Sequence, residues 1–114
     1  MEINIAISKK KKKIVQKAFV VYEPQKLPLI KKILKETPYK NALIFCSRKQ
    51  TVKQLARELK HGGVNVAEIH SDLEQSERES VLGAFTAGRI PIMVATDILS
   101  RGIDIDTIDV VINY

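Results

Sequence analysis

Apolar and polar positions along this chain alternate between two patterns, short continuous runs and helical spacing. Ile14-Val15-Gln16-Lys17-Ala18-Phe19-Val20-Val21-Tyr22 is β-branched and aromatic and predicts a strand that ends at Pro24. From Gln25 to about Glu36, Leu27, Ile30, Ile33 and Leu34 recur at helical spacing; Pro28 fits only if it lies in the first turn, and Pro38 stops the helix. Ala42-Leu43-Ile44-Phe45-Cys46 is a continuous apolar run, the mark of a strand covered on both faces. The next helix turns Val52, Leu55, Ala56 and Leu59 inward and Lys53, Arg57, Glu58 and Lys60 outward, and Gly62-Gly63 closes it. Val64 to His70 predicts another strand. Ser71 and Asp72 offer helix caps, with Glu74 and Gln75 three residues beyond each in a capping-box pattern. That helix buries Val81, Leu82, Ala84 and Phe85 and ends at Gly88. Pro91 opens the run Ile92-Met93-Val94-Ala95, which stops at Thr96-Asp97 as a strand meeting a helix cap, and Asp109 opens a last apolar strand.

Strand and helix thus alternate with short connections, which implies parallel pairing through right-handed crossovers and a three-layer α/β domain with a mostly parallel sheet. Residues 1–13 show no clear period, end in the run Lys9 to Lys13 and read as a linker or tail, leaving 14–114 as one domain. The chain stops on an apolar strand that calls for a further layer, so it reads as part of a longer protein. One cysteine, Cys46, excludes an internal disulfide framework and reads as a small hydrophobe in its strand. No apolar stretch reaches the ~20 residues of a membrane span and no signal peptide opens the chain, so a cytoplasmic protein is the expectation.

The formal charge of +6 is unevenly spread. Residues 1–67 hold 16 basic and 4 acidic side chains, whereas 68–114 hold 3 and 9. Such a chain can present a basic face to a phosphate backbone, unless the two halves interleave in space and the field averages out.

Catalytic signatures are missing. The sequence has no GxxxxGK[ST], no GxGxxG and no HExxH, and its two histidines stand apart, His61 as a solvated helix end and His70 as a turn or packing residue. Three polar clusters remain, each following a strand: Ser47-Arg48-Lys49, His70 to Arg78, and Thr96 to Asp104. In an open α/β sheet they fall at the carboxyl edge, where ligands bind. Hydroxyls, guanidiniums and helix N-terminal N–H groups suit phosphate oxygens. No aromatic interleaves with them in sequence, which favours sequence-independent backbone contact over base stacking. The plainer readings are ordinary βα loops and, for Arg78, a surface ion pair with Glu74 or Glu77.

Val94-Ala95-Thr96-Asp97-Ile98-Leu99-Ser100-Arg101-Gly102-Ile103-Asp104-Ile105 closely resembles the VATDxxxRGxDI signature of DEAD-box RNA helicases. His70-Ser71-Asp72-Leu73-Glu74-Gln75-Ser76-Glu77-Arg78 is similar to the HxxxxQxxR element that precedes it, and Ile44-Phe45-Cys46-Ser47-Arg48-Lys49 to the family's earlier strand-end motif. Order and spacing agree from about Ile14 to Tyr114. The resemblance implies the second RecA-like domain of an ATP-dependent RNA helicase, which grips RNA and ATP against an N-terminal RecA-like domain of the same polypeptide. It implies RNA-backbone contacts from Ser47, Arg48, Gln75, Arg78 and Thr96, and ATP contacts from Gly102 and Asp104. Arg101 would face either the other domain or the RNA. No residue here is implied to be catalytic. The family usually has Thr where this chain has Arg48, and members continue into an arginine-rich HRxGRxxR element beyond the last strand; the present sequence stops short of it.

ATP and Mg2+ are therefore expected of the parent protein, with neither bound tightly by this chain alone. By itself the chain is expected to be a monomer that neither hydrolyses ATP nor unwinds RNA. The alternatives are a DNA helicase or translocase domain of the same superfamily, or a non-catalytic RNA-binding module.

Overall fold

The computed structural model describes residues 2–9, 13–20, 23–36, 39–96 and 108–114. Strands β1 (Glu2–Lys9) and β2 (Lys13–Val20) precede helix α1 (Glu23–Glu36). Strand β3 (Ala42–Cys46), helix α2 (Lys49–His61), strand β4 (Val66–Ile69), helix α3 (Gln75–Thr86), strand β5 (Ile92–Thr96) and strand β6 (Val110–Asn113) follow. The sheet order is β2-β1-β6-β3-β5-β4. The strand pairs β6–β3, β3–β5 and β5–β4 are parallel, and β1 is antiparallel to both its neighbours. The expected mostly parallel α/β sheet is present.

Residues 2–9 correct the reading of that stretch as a tail. Ile3, Ile5 and Ile7 alternate with Asn4, Ala6 and Ser8, the period of a strand, and Asn4 to Ile7 pair with Val110 to Asn113 of β6. The lysine run hid this pattern, and the pairing partner lies at the other end of the chain. Lys9 and Lys13 close the register of the β1–β2 hairpin.

Alternation along β3 builds the two cores. Ala42, Ile44 and Cys46 pack on one face with Ile30, Ile33 and Leu34 of α1 and Val52, Leu55 and Leu59 of α2. Leu43 and Phe45 pack on the other with Met93, Ala95, Ile108 and Phe85 of α3. Among the described residues, two helices lie on one face and one on the other, which makes the three layers. Each fully buried Leu or Ile contributes about 1.5–3 kcal/mol. Of the four α3 residues expected inside, Phe85 alone is fully buried; Val81, Leu82 and Ala84 are half-buried. α3 covers its face without a partner helix, so its flanks stay open among the described residues.

Two helix starts differ from expectation. Helix α1 begins at Glu23, which puts Pro24 rather than Pro28 in its first turn and leaves Pro28 in the helix interior at an exposed position. Helix α3 begins at Gln75 with Glu74 as N-cap; the Glu74 N–H donates to Glu77 Oε1 at 3.3 Å, so the box is Glu74 with Glu77, not Ser71 or Asp72. Asp72 is engaged elsewhere, as described below. Helix α2 ends as its glycines require: Gly63, at φ +85°, takes the left-handed position that follows the C-cap Gly62.

At the amino ends of the parallel strands, polar groups are spent on closure. The Lys40 N–H donates to Asp109 Oδ2 (2.7 Å), the Asp109 N–H to Asn41 Oδ1 (2.8 Å) and the Ala42 N–H to the Pro91 carbonyl (2.8 Å). The opposite edge is built differently.

Candidate nucleic-acid interface at the carboxyl edge

Cys46 and Thr96 are register partners, and so are Ile69 and Ala95. Thr96, half-buried at the end of β5, therefore lies between the end of β3, which leads into Ser47-Arg48, and the end of β4, which leads into His70 and α3. Parallel strands all deliver their following residues to one edge, so this placement follows from the topology. Ser47 and Arg48 are exposed. Gln75 opens α3 and Arg78 stands one turn later, as expected. Arg101, Gly102 and Asp104 lie outside the described residues.

Arg48 is the N-cap of α2, with extended backbone (φ −129°, ψ 143°) and no side-chain capping bond. The first turn of α2 carries no acidic residue, so its N–H groups and the positive end of its dipole meet the edge without a carboxylate from the helix itself. In α3, by contrast, Glu74 and Glu77 occupy the cap.

A concavity of about 560 Å3 opens beside Ser47 and Arg48, with Thr51, Gln54, Lys26 and Tyr114 in its walls. Lys26 and Tyr114 escaped the sequence reading. Lys26 is only 5% exposed; its ammonium donates to the Tyr114 carbonyl at 3.3 Å and sits 4.7 Å from the centre of the Tyr114 ring. An aromatic ring thus does reach this edge, although none stands near Ser47 in sequence. Tyr114 arrives there because β6 runs parallel beside β3 and its N–H donates to the Phe45 carbonyl at 2.8 Å.

The β4–α3 loop is held from both sides. His70 is buried; Asp72 donates its N–H to His70 Nδ1 at 3.3 Å, which leaves Nε2 to donate to Glu68 Oε2 at 3.0 Å. It is a turn residue, as its position implied. Asp72 accepts hydrogen bonds from Lys49 (2.9 Å) and Lys53 of α2, and those two bonds hold its carboxyl at about 2, below the ordinary 3.8. Arg78 makes neither of the ion pairs considered for it; its Nε donates to the Leu73 carbonyl at 3.1 Å, which aligns the guanidinium with the loop. Gln75 Nε2 donates to Glu79 Oε1 at 3.3 Å. The structure therefore brings Ser47 and Arg48 into one concavity and sets Gln75 and Arg78 on the other side of Thr96, along the same edge. Such an edge offers hydroxyl, guanidinium and amide donors of the kind that bind phosphate oxygens.

Residues 25–114 match the family described as the helicase conserved C-terminal domain. The chain belongs to that family. Among relatives of this helicase C-terminal domain, the ATP-dependent RNA helicase-like protein DB10 of Nicotiana sylvestris is 44% identical over 104 residues, which are 90% of this chain and 17% of that protein. The solved DEAD box protein of Methanococcus jannaschii superposes with a TM-score of 0.66 at 39% identity, covering 75% of this chain and 23% of that one. A Saccharomyces cerevisiae Dbp5 variant bound to RNA and ADP BeF3 does so with a TM-score of 0.64 at 30% identity, covering 73% and 21%. The RecA-like fold and the DEAD-box resemblance agree with these likenesses. The chain spans about a fifth of the length of each of these proteins. No helix among the described residues is long and apolar enough to cross a membrane.

Proposed function

We propose that this chain is the C-terminal RecA-like half of an ATP-dependent RNA helicase and grips the RNA backbone along its carboxyl edge. The observation that carries the reading is the register that sets Thr96 between the Ser47-Arg48 turn and the loop leading to Gln75 and Arg78. Thr96 and Ser47 donate hydroxyls to phosphate oxygens, and Arg48 and Arg78 supply charge-assisted hydrogen bonds worth about 1.5–3 kcal/mol each. These contacts read phosphates rather than bases and are independent of RNA sequence.

Gly102 and Asp104 complete the ATP site in this reading, the carboxylate accepting from the ribose hydroxyls and the glycine admitting the ligand close to the backbone. Arg101 faces the N-terminal RecA-like domain of the same polypeptide or the RNA. Mg2+ enters with the ATP phosphates. Phosphoryl transfer needs the P-loop and metal of that partner domain, and the chain alone neither hydrolyses ATP nor unwinds RNA. It acts as a monomer in the cytoplasm.

The test is titration of the 114-residue chain with single-stranded RNA, followed by amide chemical shifts. Half a clamp binds weakly, with Kd between millimolar and high micromolar, about −4 to −6 kcal/mol. Shifts at Ser47, Arg48, Gln75, Arg78 and Thr96 that Arg78→Ala and Thr96→Ala weaken are expected. Saturating RNA that leaves these residues unmoved overturns the reading, and tighter binding to duplex DNA favours the translocase alternative.

A further inference from the structure

Helix α2 sets Lys49, Lys53, Arg57 and Lys60 four, four and three residues apart, which aligns them in one stripe about 16 Å long. Its lower part borders a shallow cavity of about 630 Å3 walled by Lys53, Arg57, Lys60, His61 and Glu68. Lys49 and Lys53 are hydrogen-bonded to Asp72, and Lys60 stands 3.7 Å from Glu68. Arg57 is exposed and makes no ion pair among the described residues. Four cations face two carboxylates, so the stripe keeps an excess of positive charge. Among the described residues no Phe, Tyr, Trp or large aliphatic side chain lines the cavity, whereas the centre of a protein interface is aromatic and poor in lysine. The upper end, at Lys49 and Asp72, adjoins the Ser47-Arg48 turn; the lower end reaches β4, the last strand of the sheet.

We propose that the outer face of α2 is a second contact for single-stranded RNA, a track that carries the backbone away from the carboxyl edge along Lys49, Lys53, Arg57 and Lys60. The inference rests on the function proposed above, since the strand must first be held at Thr96. Evenly spaced cations on a rigid helix release counterions from successive phosphates whatever the bases are, and Arg57 adds a two-pronged contact. Lys49 and Lys53 each give one N–H to Asp72 and have further N–H donors to offer a phosphate, so the backbone can be held without breaking those pairs.

The experiment compares oligo(U) of 6 and 15 nucleotides binding to the 114-residue chain, to the Arg57→Gln/Lys60→Gln double variant and to Arg78→Ala. Both double-variant positions are exposed, and an unchanged thermal melt confirms that the variant is folded. The wild type is expected to bind the 15-mer more tightly and with a steeper salt dependence than the 6-mer. The double variant should lose roughly 10- to 30-fold in 15-mer affinity at 0.1 M salt and about 1.4 in slope, as two lost phosphate contacts require, with 6-mer binding unchanged. Arg78→Ala should weaken both lengths. A double variant that binds the 15-mer like the wild type, or that loses 6-mer binding equally, overturns the track and leaves the edge reading intact. Loss in the double variant with none in Arg78→Ala overturns the edge reading and, with it, the track as its continuation. An acidic peptide such as oligoglutamate that shifts Arg57 and Lys60 where RNA does not would overturn the proposal in favour of a protein partner.

Discussion

Lys49 Nζ stands 2.9 Å from Asp72 Oδ1 and fastens the first turn of α2 to the loop between β4 and α3. Ser47 and Arg48 lie just before that turn, and Gln75 and Arg78 just after that loop. The ion pair therefore links the two groups of proposed RNA ligands across the end of the sheet, with Lys53 as a second strut.

This linkage is expected to weaken in acid. Lys53 and Lys49 hold the Asp72 carboxyl at about 2, below its ordinary 3.8. A carboxyl depressed in the folded state adds stability above its unfolded pKa and loses it as pH falls from about 4 through 2. The melting temperatures of wild type and Asp72→Asn should converge over that interval, and a carboxyl shift titration of Asp72 should show a midpoint near 2. A midpoint near 4 contradicts the strut.

His70 should behave as a structural residue. Its Nδ1 accepts from the Asp72 N–H and its Nε2 donates to Glu68, which fixes the tautomer with the proton on Nε2. Long-range 15N correlation reads this directly. His70→Ala strands a loop N–H and is expected to cost about 1–3 kcal/mol in urea denaturation.

These two residues show what was legible in the sequence and what was not. The strand Ala42–Cys46 and the inward row Val52, Leu55, Ala56 and Leu59 could be read directly, because burial on both faces or on one helix stripe writes itself into nearest neighbours. The start of α3 could not. Asp72, Glu74 and Glu77 all stand at cap-like spacing, and only the distant Lys49 and Lys53 decide that Asp72 serves another purpose. Lys26 and Tyr114 meet across 88 positions, and no local pattern marks that meeting. The edge residues were nameable from strand-end position and resemblance together, but their order across the sheet needed the pairing of β3, β5 and β4.

Core truncation should be costly on the two-helix face. Leu59 is fully buried, and Leu59→Ala is expected to destabilise by about 2–5 kcal/mol, measured by urea unfolding.

Gly63→Ala isolates a backbone effect. A Cβ at this position meets nothing within 4 Å, so the left-handed φ of +85° is the whole source of strain. A loss of about 1–2 kcal/mol is expected, with no change at Gly62 or in RNA binding.

The position of β6 bears on how the molecule is made. Asn41 and Asp109, which flank β3 and β6, are joined by a hydrogen bond across 68 residues of sequence, and β6 is inserted between β1 and β3. During synthesis the hairpin and the β3, β4 and β5 strands emerge first as two separate patches with unsatisfied edges. They become one sheet only when Val110 to Asn113 leave the ribosome and slot between them, which makes completion of the sheet a long-range event.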